Sequence, residues 1–99
     1  MRKLSAPTKA TIRLVNKRGL HARASHKFME CVMQFDAHVL VRSHHDVCAE
    51  TVVAESVMEL LLLASACGEE ITISATGIEA SDAIQALTEL VANRFGEED

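Results

Sequence analysis

His21 and Arg23, two positions apart in Gly19-Leu20-His21-Ala22-Arg23, are residue types that could hold and carry an anion. They lie where a strand-like segment gives way to a helix-like one. From Ala22 the chain reads ARASHKFMECVMQF, and Ala24, Phe28, Cys31, Val32 and Phe35 recur at the three-and-four spacing of an amphipathic helix. His21 is then the first residue of that helix or its cap. The first amides of a helix have no intrahelical acceptor, and with the positive end of the macrodipole they form an anion site. Arg23 can add a charge-assisted fork, and Gly19 gives the backbone freedom for a tight entry. A neutral imidazole near pH 7 is also a good nucleophile. The same five residues equally fit a plain helix cap beside a solvated charge, and the pattern leaves both readings open.

The elements that must position this segment alternate along the chain. Thr8 to Val15 alternates as a strand with Ala10, Ile12 and Leu14 on one face. After the first helix, Ala37 to Arg42 reads as a second strand and Glu50 to Ala54 as a third, with Ser43-His44-His45-Asp46 as a polar turn between them. Ser56-Val57-Met58-Glu59 is a capping box, so a helix is expected from there to about Cys67, ended by Gly68 as a C-cap. Glu70 to Thr76 alternates strictly, with Ile71, Ile73 and Ala75 inward, and Gly77 closes it. A last helix carries Ala83, Ile84, Leu87, Leu90 and Val91 at helical spacing. The order is βαββαβα, an α+β pattern best satisfied by a two-layer sandwich with helices on one face of an antiparallel sheet.

At 99 residues the chain is expected to be one domain, residues 1–99 with a core of about 8–95. A net charge of −4 and an aromatic content of 3% argue against a nucleic-acid surface. No apolar run approaches the ~20 residues that span a bilayer, and the start, MRKLSAPTKA, lacks the apolar stretch of a secretion signal. The expectation is a cytoplasmic protein without membrane insertion. Cys31, Cys48 and Cys67 form no Cys-x-x-Cys pair and read as reduced thiols. Cations crowd the first third of this acidic chain, which suits phosphate and an acidic partner face.

His26, His38, His44 and His45 invite a metal hypothesis, with Cys48 three residues after His45, but adjacent histidines in a turn point apart and no second ligand set completes a tetrahedral site. No metal is expected. His26 is set apart by its place near the first turn of the helix, on a face that could border His21, where it would tune charge or meet partners; the plain alternative is an exposed histidine. Leu60-Leu61-Leu62-Leu63 is more apolar than a half-buried helix requires, so part of it is expected to form a partner surface and part to pack in the core. Met58, directly after the cap, is the residue expected to be exposed.

Asn16-Lys17-Arg18-Gly19-Leu20-His21-Ala22-Arg23 resembles the active-site segment of the histidine-containing phosphocarrier (HPr) family of the phosphoenolpyruvate-dependent phosphotransferase system, usually Gly-Leu-His-Ala-Arg-Pro. Ala54-Glu55-Ser56-Val57-Met58 resembles the family's regulatory-serine segment. The resemblance runs roughly from Thr8 to Phe95. Phe35-Asp36-Ala37 and the acidic end from Phe95 are similar to the nitrogen-related branch, NPr. The resemblance implies an HPr-like open-faced sandwich with strand order 1-4-2-3 and three helices on one face. It implies that His21 accepts a phosphoryl group at Nδ1 from phosphorylated enzyme I and donates it to a IIA-type protein, the amides of Ala22 and Arg23 holding the phosphate. Carried over by position, the docking patch is Val57, Met58 and Leu61 with Glu59 at its edge, and Ser56 is the site of a serine kinase/phosphorylase.

Ala24 stands where the family has proline, adding an amide donor and removing the ring that fixes the first turn, and it is counted with His26 among the residues that border a partner. Glu55 and Glu59 add negative charge beside Ser56, which reads equally as a helix cap. No Gly-rich loop with a lysine supplies a nucleotide site, so no cofactor is expected, and the chain reads as a carrier turned over by other enzymes. The competing reading is a regulatory binding module whose partner depends on phosphorylation of His21 or Ser56.

Overall fold

A computed structural model describes residues 8–44, 51–63 and 67–96. The elements are β1 (Thr8–Arg13), α1 (Ala22–Val32), β2 (His38–Ser43), β3 (Thr51–Val53), α2 (Val57–Leu62), β4 (Glu70–Thr76) and α3 (Ala80–Ala92). The strands form an antiparallel sheet in the order β1-β4-β2-β3. The period-two patterns set its buried face. Ile71, Ile73 and Ala75 of β4 and Val39 and Val41 of β2 are buried, while Lys9, Thr11 and Arg13 of β1 face outward. Each fully buried isoleucine or valine contributes about 1.5–3 kcal/mol. The helices close the other side of that core: α3 packs on β1 and β4, α2 on β3, and α1 against both other helices.

Local differences from the expected elements have tertiary causes. β1 ends at Arg13, yet Leu14 keeps its bonds, donating to the Glu69 carbonyl at 2.9 Å and accepting from the Gly68 amide at 2.7 Å. The helix expected to reach Cys67 is assigned over Val57–Leu62, with Leu63 as its cap, and residues 64–66 lie outside the described set. Gly68, at φ +88, belongs to a turn that docks on β1 through Leu14. The polar turn of the β2–β3 connection, with His45, Asp46 and Cys48, falls in residues 45–50, outside the described set. Leu60 and Leu63 are buried and Leu61 is half-buried, so the leucine run divides between core and surface.

Two contacts tie the helices to distant chain. Glu79 caps α3 without a side-chain bond to that helix, and instead its Oε1 accepts from the Asp36 amide at 2.7 Å while its own amide donates to the Asp36 carbonyl at 3.0 Å. Gly77, at φ +122, lies so close that a Cβ would stand 2.8 Å from the Asp36 carbonyl, which requires glycine there. At the other end Arg94 and Phe95 both adopt φ 56, a conformation costing about 1–2 kcal/mol for each residue. The buried Phe95 ring offsets much of this cost.

Candidate functional site

The β1–α1 connection is built around a tight turn. Gly19 donates its amide to the Asn16 carbonyl at 3.2 Å, and the Asn16 Nδ2 returns a bond to the Gly19 carbonyl at 2.8 Å. Gly19 sits at φ +63, a position that side chains resist. Leu20 plugs into the core and turns the chain into His21, which is extended at φ −76 and ψ −176 and serves as the N-cap of α1. The imidazole does the capping: Nδ1 accepts from the Arg23 amide at 3.3 Å. A nitrogen that accepts an N–H carries a lone pair, so in this geometry the neutral ring holds its proton on Nε2 and keeps the lone pair on Nδ1.

The surroundings favour an anion. The first turn of α1 contains no acidic residue. Ala22 and Arg23 are exposed beside a half-buried His21, so the Arg23 side chain faces solvent at the positive end of the helix, while the Arg23 amide is bonded to His21 Nδ1. Lys27, one turn further, is committed elsewhere, since its Nζ donates to the Phe95 carbonyl at 2.6 Å and holds the closing turn of the chain against α1.

The other expected site residues divide. Ala24, expected among partner-contacting residues, is fully buried: the third helical position turns inward with Phe28 and Val32. His26 is exposed, with its Nδ1 3.5 Å from Glu30 Oε1 one turn along the helix. Met58 is 71% exposed, and Val57, Glu59 and Leu61 are half-buried on α2, which packs against α1. Ser56 caps α2, its Oγ accepting from the Glu59 amide at 3.3 Å. The reciprocal half of the expected capping box differs: Glu59 Oε1 reaches past the cap to the Val53 amide at 3.0 Å. That bond ties the end of β3 to the start of α2.

Three residues near this segment were not singled out as site residues in the sequence. Asn16 and Ser25 are fully buried polar residues, and Ser25 Oγ donates to the Leu20 carbonyl at 3.1 Å. A serine on the apolar stripe of the helix was the available signal. Val15 is 40% exposed just before the site, as the outward phase of β1 implies. No cluster of histidine, cysteine and carboxylate side chains able to hold a metal ion occurs among the described residues. His44 Nε2 bonds Thr72 Oγ1 on the open face of the sheet. Burial pushes the Cys31 thiol above its usual range, so it favours the neutral form, whereas Cys67 is exposed.

This geometry agrees with the comparisons. Residues 8–93 match the family model described as the PTS HPr component phosphorylation site. The chain is 39% identical to the phosphocarrier protein HPr of Neisseria meningitidis over 90% of its own length and 96% of the relative's. It is 40% identical to the phosphocarrier protein NPr of Escherichia coli over 91% and 97% of the two chains. The crystal structure of HPr from Thermoanaerobacter tengcongensis superposes with a TM-score of 0.83 at 34% identity, covering 93% of this chain and 99% of that one. The chain belongs to the HPr family and is a phosphocarrier of the phosphotransferase system. It is similar to the HPr and NPr branches to the same degree.

Proposed function

We propose that His21 is the phosphoryl acceptor, loaded by phosphorylated enzyme I and unloaded by a IIA-type protein, in a cytoplasmic relay where this chain is turned over by its partners. The observation that carries the reading is Nδ1 of His21 held against the Arg23 amide at the start of a helix with no first-turn acid. In the forward step the Nδ1 lone pair attacks phosphorus, the bond from phosphorus to the donor histidine breaks, and that electron pair returns to the donor imidazole. The 3.3 Å bond from the Arg23 amide is long and weak, so it releases Nδ1 at low cost, and the freed N–H turns to a phosphate oxygen. The Ala22 amide and the Arg23 guanidinium spread the remaining charge. Rate then depends on aligning donor and acceptor while neutralising charge.

Docking falls to Met58, Val57 and Leu61, with Glu59 and His26 at the margin, because exposed Met58 and half-buried Val57 and Leu61 lie on the helix packed beside α1. Ser56 is first a helix cap, and a kinase acting there would have to place phosphate between Glu55 and Glu59. No helix among the described residues is long and apolar enough to cross a membrane. Incubation with phosphoenolpyruvate and enzyme I should add one acid-labile, base-stable phosphate by intact mass, absent in His21→Ala and retained in His26→Ala. Equal labelling of His21→Ala would place the acceptor elsewhere.

A further inference from the structure

We propose that Asn16 and Ser25 are positioning residues for phosphoryl transfer, acting through the backbone of Gly19, Leu20 and His21 to hold Nδ1 against the helix-start amide; this rests on reading His21 as the acceptor. Both side chains are fully buried. Burying an amide or a hydroxyl is costly, and a pair of apolar residues of similar shape would fill the space as well or better. The two residues spend their bonds on consecutive carbonyls of one short segment. Asn16 Nδ2 pins the Gly19 carbonyl at 2.8 Å, and Ser25 Oγ pins the Leu20 carbonyl at 3.1 Å. Those carbonyls fix the two peptide planes leading into His21.

Propagating α1 needs neither bond. The helix closes its own first turn through the Ser25 amide and the His21 carbonyl at 2.8 Å. The side-chain bonds therefore control what precedes the helix, namely the direction from which the imidazole leaves the backbone. That direction decides whether Nδ1 or solvent receives the Arg23 N–H. Position 24 makes the clamp more important. Alanine leaves φ soft at the third helical residue, where proline would hold it near −65°. Its amide is one of the helix-start donors that need no intrahelical partner, so proline could replace it without losing a ladder bond. The buried clamp supplies by hydrogen bonding the stiffness that the ring would supply covalently.

The test compares Asn16→Ala, Ser25→Ala and Ser25→Ala combined with Ala24→Pro. Thermal unfolding reports folding, long-range nitrogen–proton NMR reports the His21 tautomer, and steady-state phosphorylation by enzyme I reports kcat and KM. Wild type should show the Nε2–H tautomer. Each single variant should gain an Nδ1–H population and lose about tenfold in kcat at unchanged KM, because the ring is misplaced while the docking surface is intact. Ala24→Pro should restore most of what Ser25→Ala loses. Folded single variants with wild-type tautomer and rate, or a loss confined to KM, overturn the proposal. If Ser25→Ala does not fold, Asn16→Ala decides alone by the same readouts, and Asn16→Gln serves if that too is unfolded. The tautomer measurement needs no partner, so a wild-type chain that takes no phosphate from enzyme I would refute the acceptor reading and leave the clamp separately measurable.

Discussion

Two helices of this protein begin with the same device and differ in what the device leaves open. At α1 the His21 Nδ1 accepts from the Arg23 amide at 3.3 Å, and at α2 the Ser56 Oγ accepts from the Glu59 amide at the same distance. Both caps have extended backbone. The first turn of α1 has no acid and carries an exposed arginine, so the positive end of its dipole is uncompensated. The first turn of α2 holds Glu59, with Glu55 just outside it. A fixed carboxylate already answers that dipole, and an added phosphate meets two negative neighbours. Helix capping thus leaves a first turn without a negative neighbour only where the protein withholds its own acid.

The strongest way to break the contrast is to give α1 the acid that α2 possesses. Ala22→Glu places a carboxylate on an exposed first-turn position. It should stabilise the helix slightly by the dipole rule while cutting phosphorylation by enzyme I on the order of 10- to 100-fold, the cost of about 1–3 kcal/mol for a like charge close to phosphate. Stopped-flow or quenched transfer assays beside thermal unfolding would show rate and stability moving in opposite directions. Equal rates would mean that the bare first turn is irrelevant.

Arg23→Ala tests the second part of the anion site. The variant should fold as wild type because Arg23 is exposed, and should transfer about tenfold more slowly in both directions as charge neutralisation weakens. Undiminished transfer would leave the amides as sufficient. Met58→Asp sharpens the contrast from the docking side: calorimetric titration should show enzyme I affinity falling severalfold, since a carboxylate in an apolar contact must be desolvated. Wild-type affinity would remove Met58 from the interface.

Smaller effects are expected at the other cap. Ser56→Ala should lose about 1 kcal/mol of stability with His21 loading nearly intact. Ser56→Asp keeps a capping oxygen but adds charge, so a fall in partner binding for Asp and not for Ala would show that charge at Ser56 gates the interface. The least signal should come from the inner side of α1. Mild alkylation near pH 8 should modify Cys67 well before Cys31, whose raised pKa keeps the half-buried thiol protonated. Preferential reaction of Cys31 would mean that the inner face of α1 opens in solution.

The residues that define the two caps were legible one at a time, because these caps join groups only two or three positions apart. Strand β4 was legible over its full length for the same reason: Ile71, Ile73 and Ala75 alternate with polar neighbours, and side-chain direction along a strand has a period of two. The strand order needed the family resemblance, since alternation says which face is buried but not which strand lies alongside. Ala24 shows how far spacing reaches within a helix: it falls on the apolar face with Phe28 and Val32, and packing against the core buries it fully.

By itself the sequence determined the element order, the apolar faces and the placing of a histidine before a helix free of first-turn acid. These follow from rules that act within one or two turns of chain. Tertiary structure alone decided that Glu59 would reach the Val53 amide, that Lys27 would be spent on the Phe95 carbonyl, and that Gly68 would dock on Leu14. It also decided that Asn16 and Ser25 would pin successive carbonyls before His21. Each of these bonds depends on how the sheet and helices meet in space, and packing is fixed by many weak contacts between distant residues rather than by local spacing.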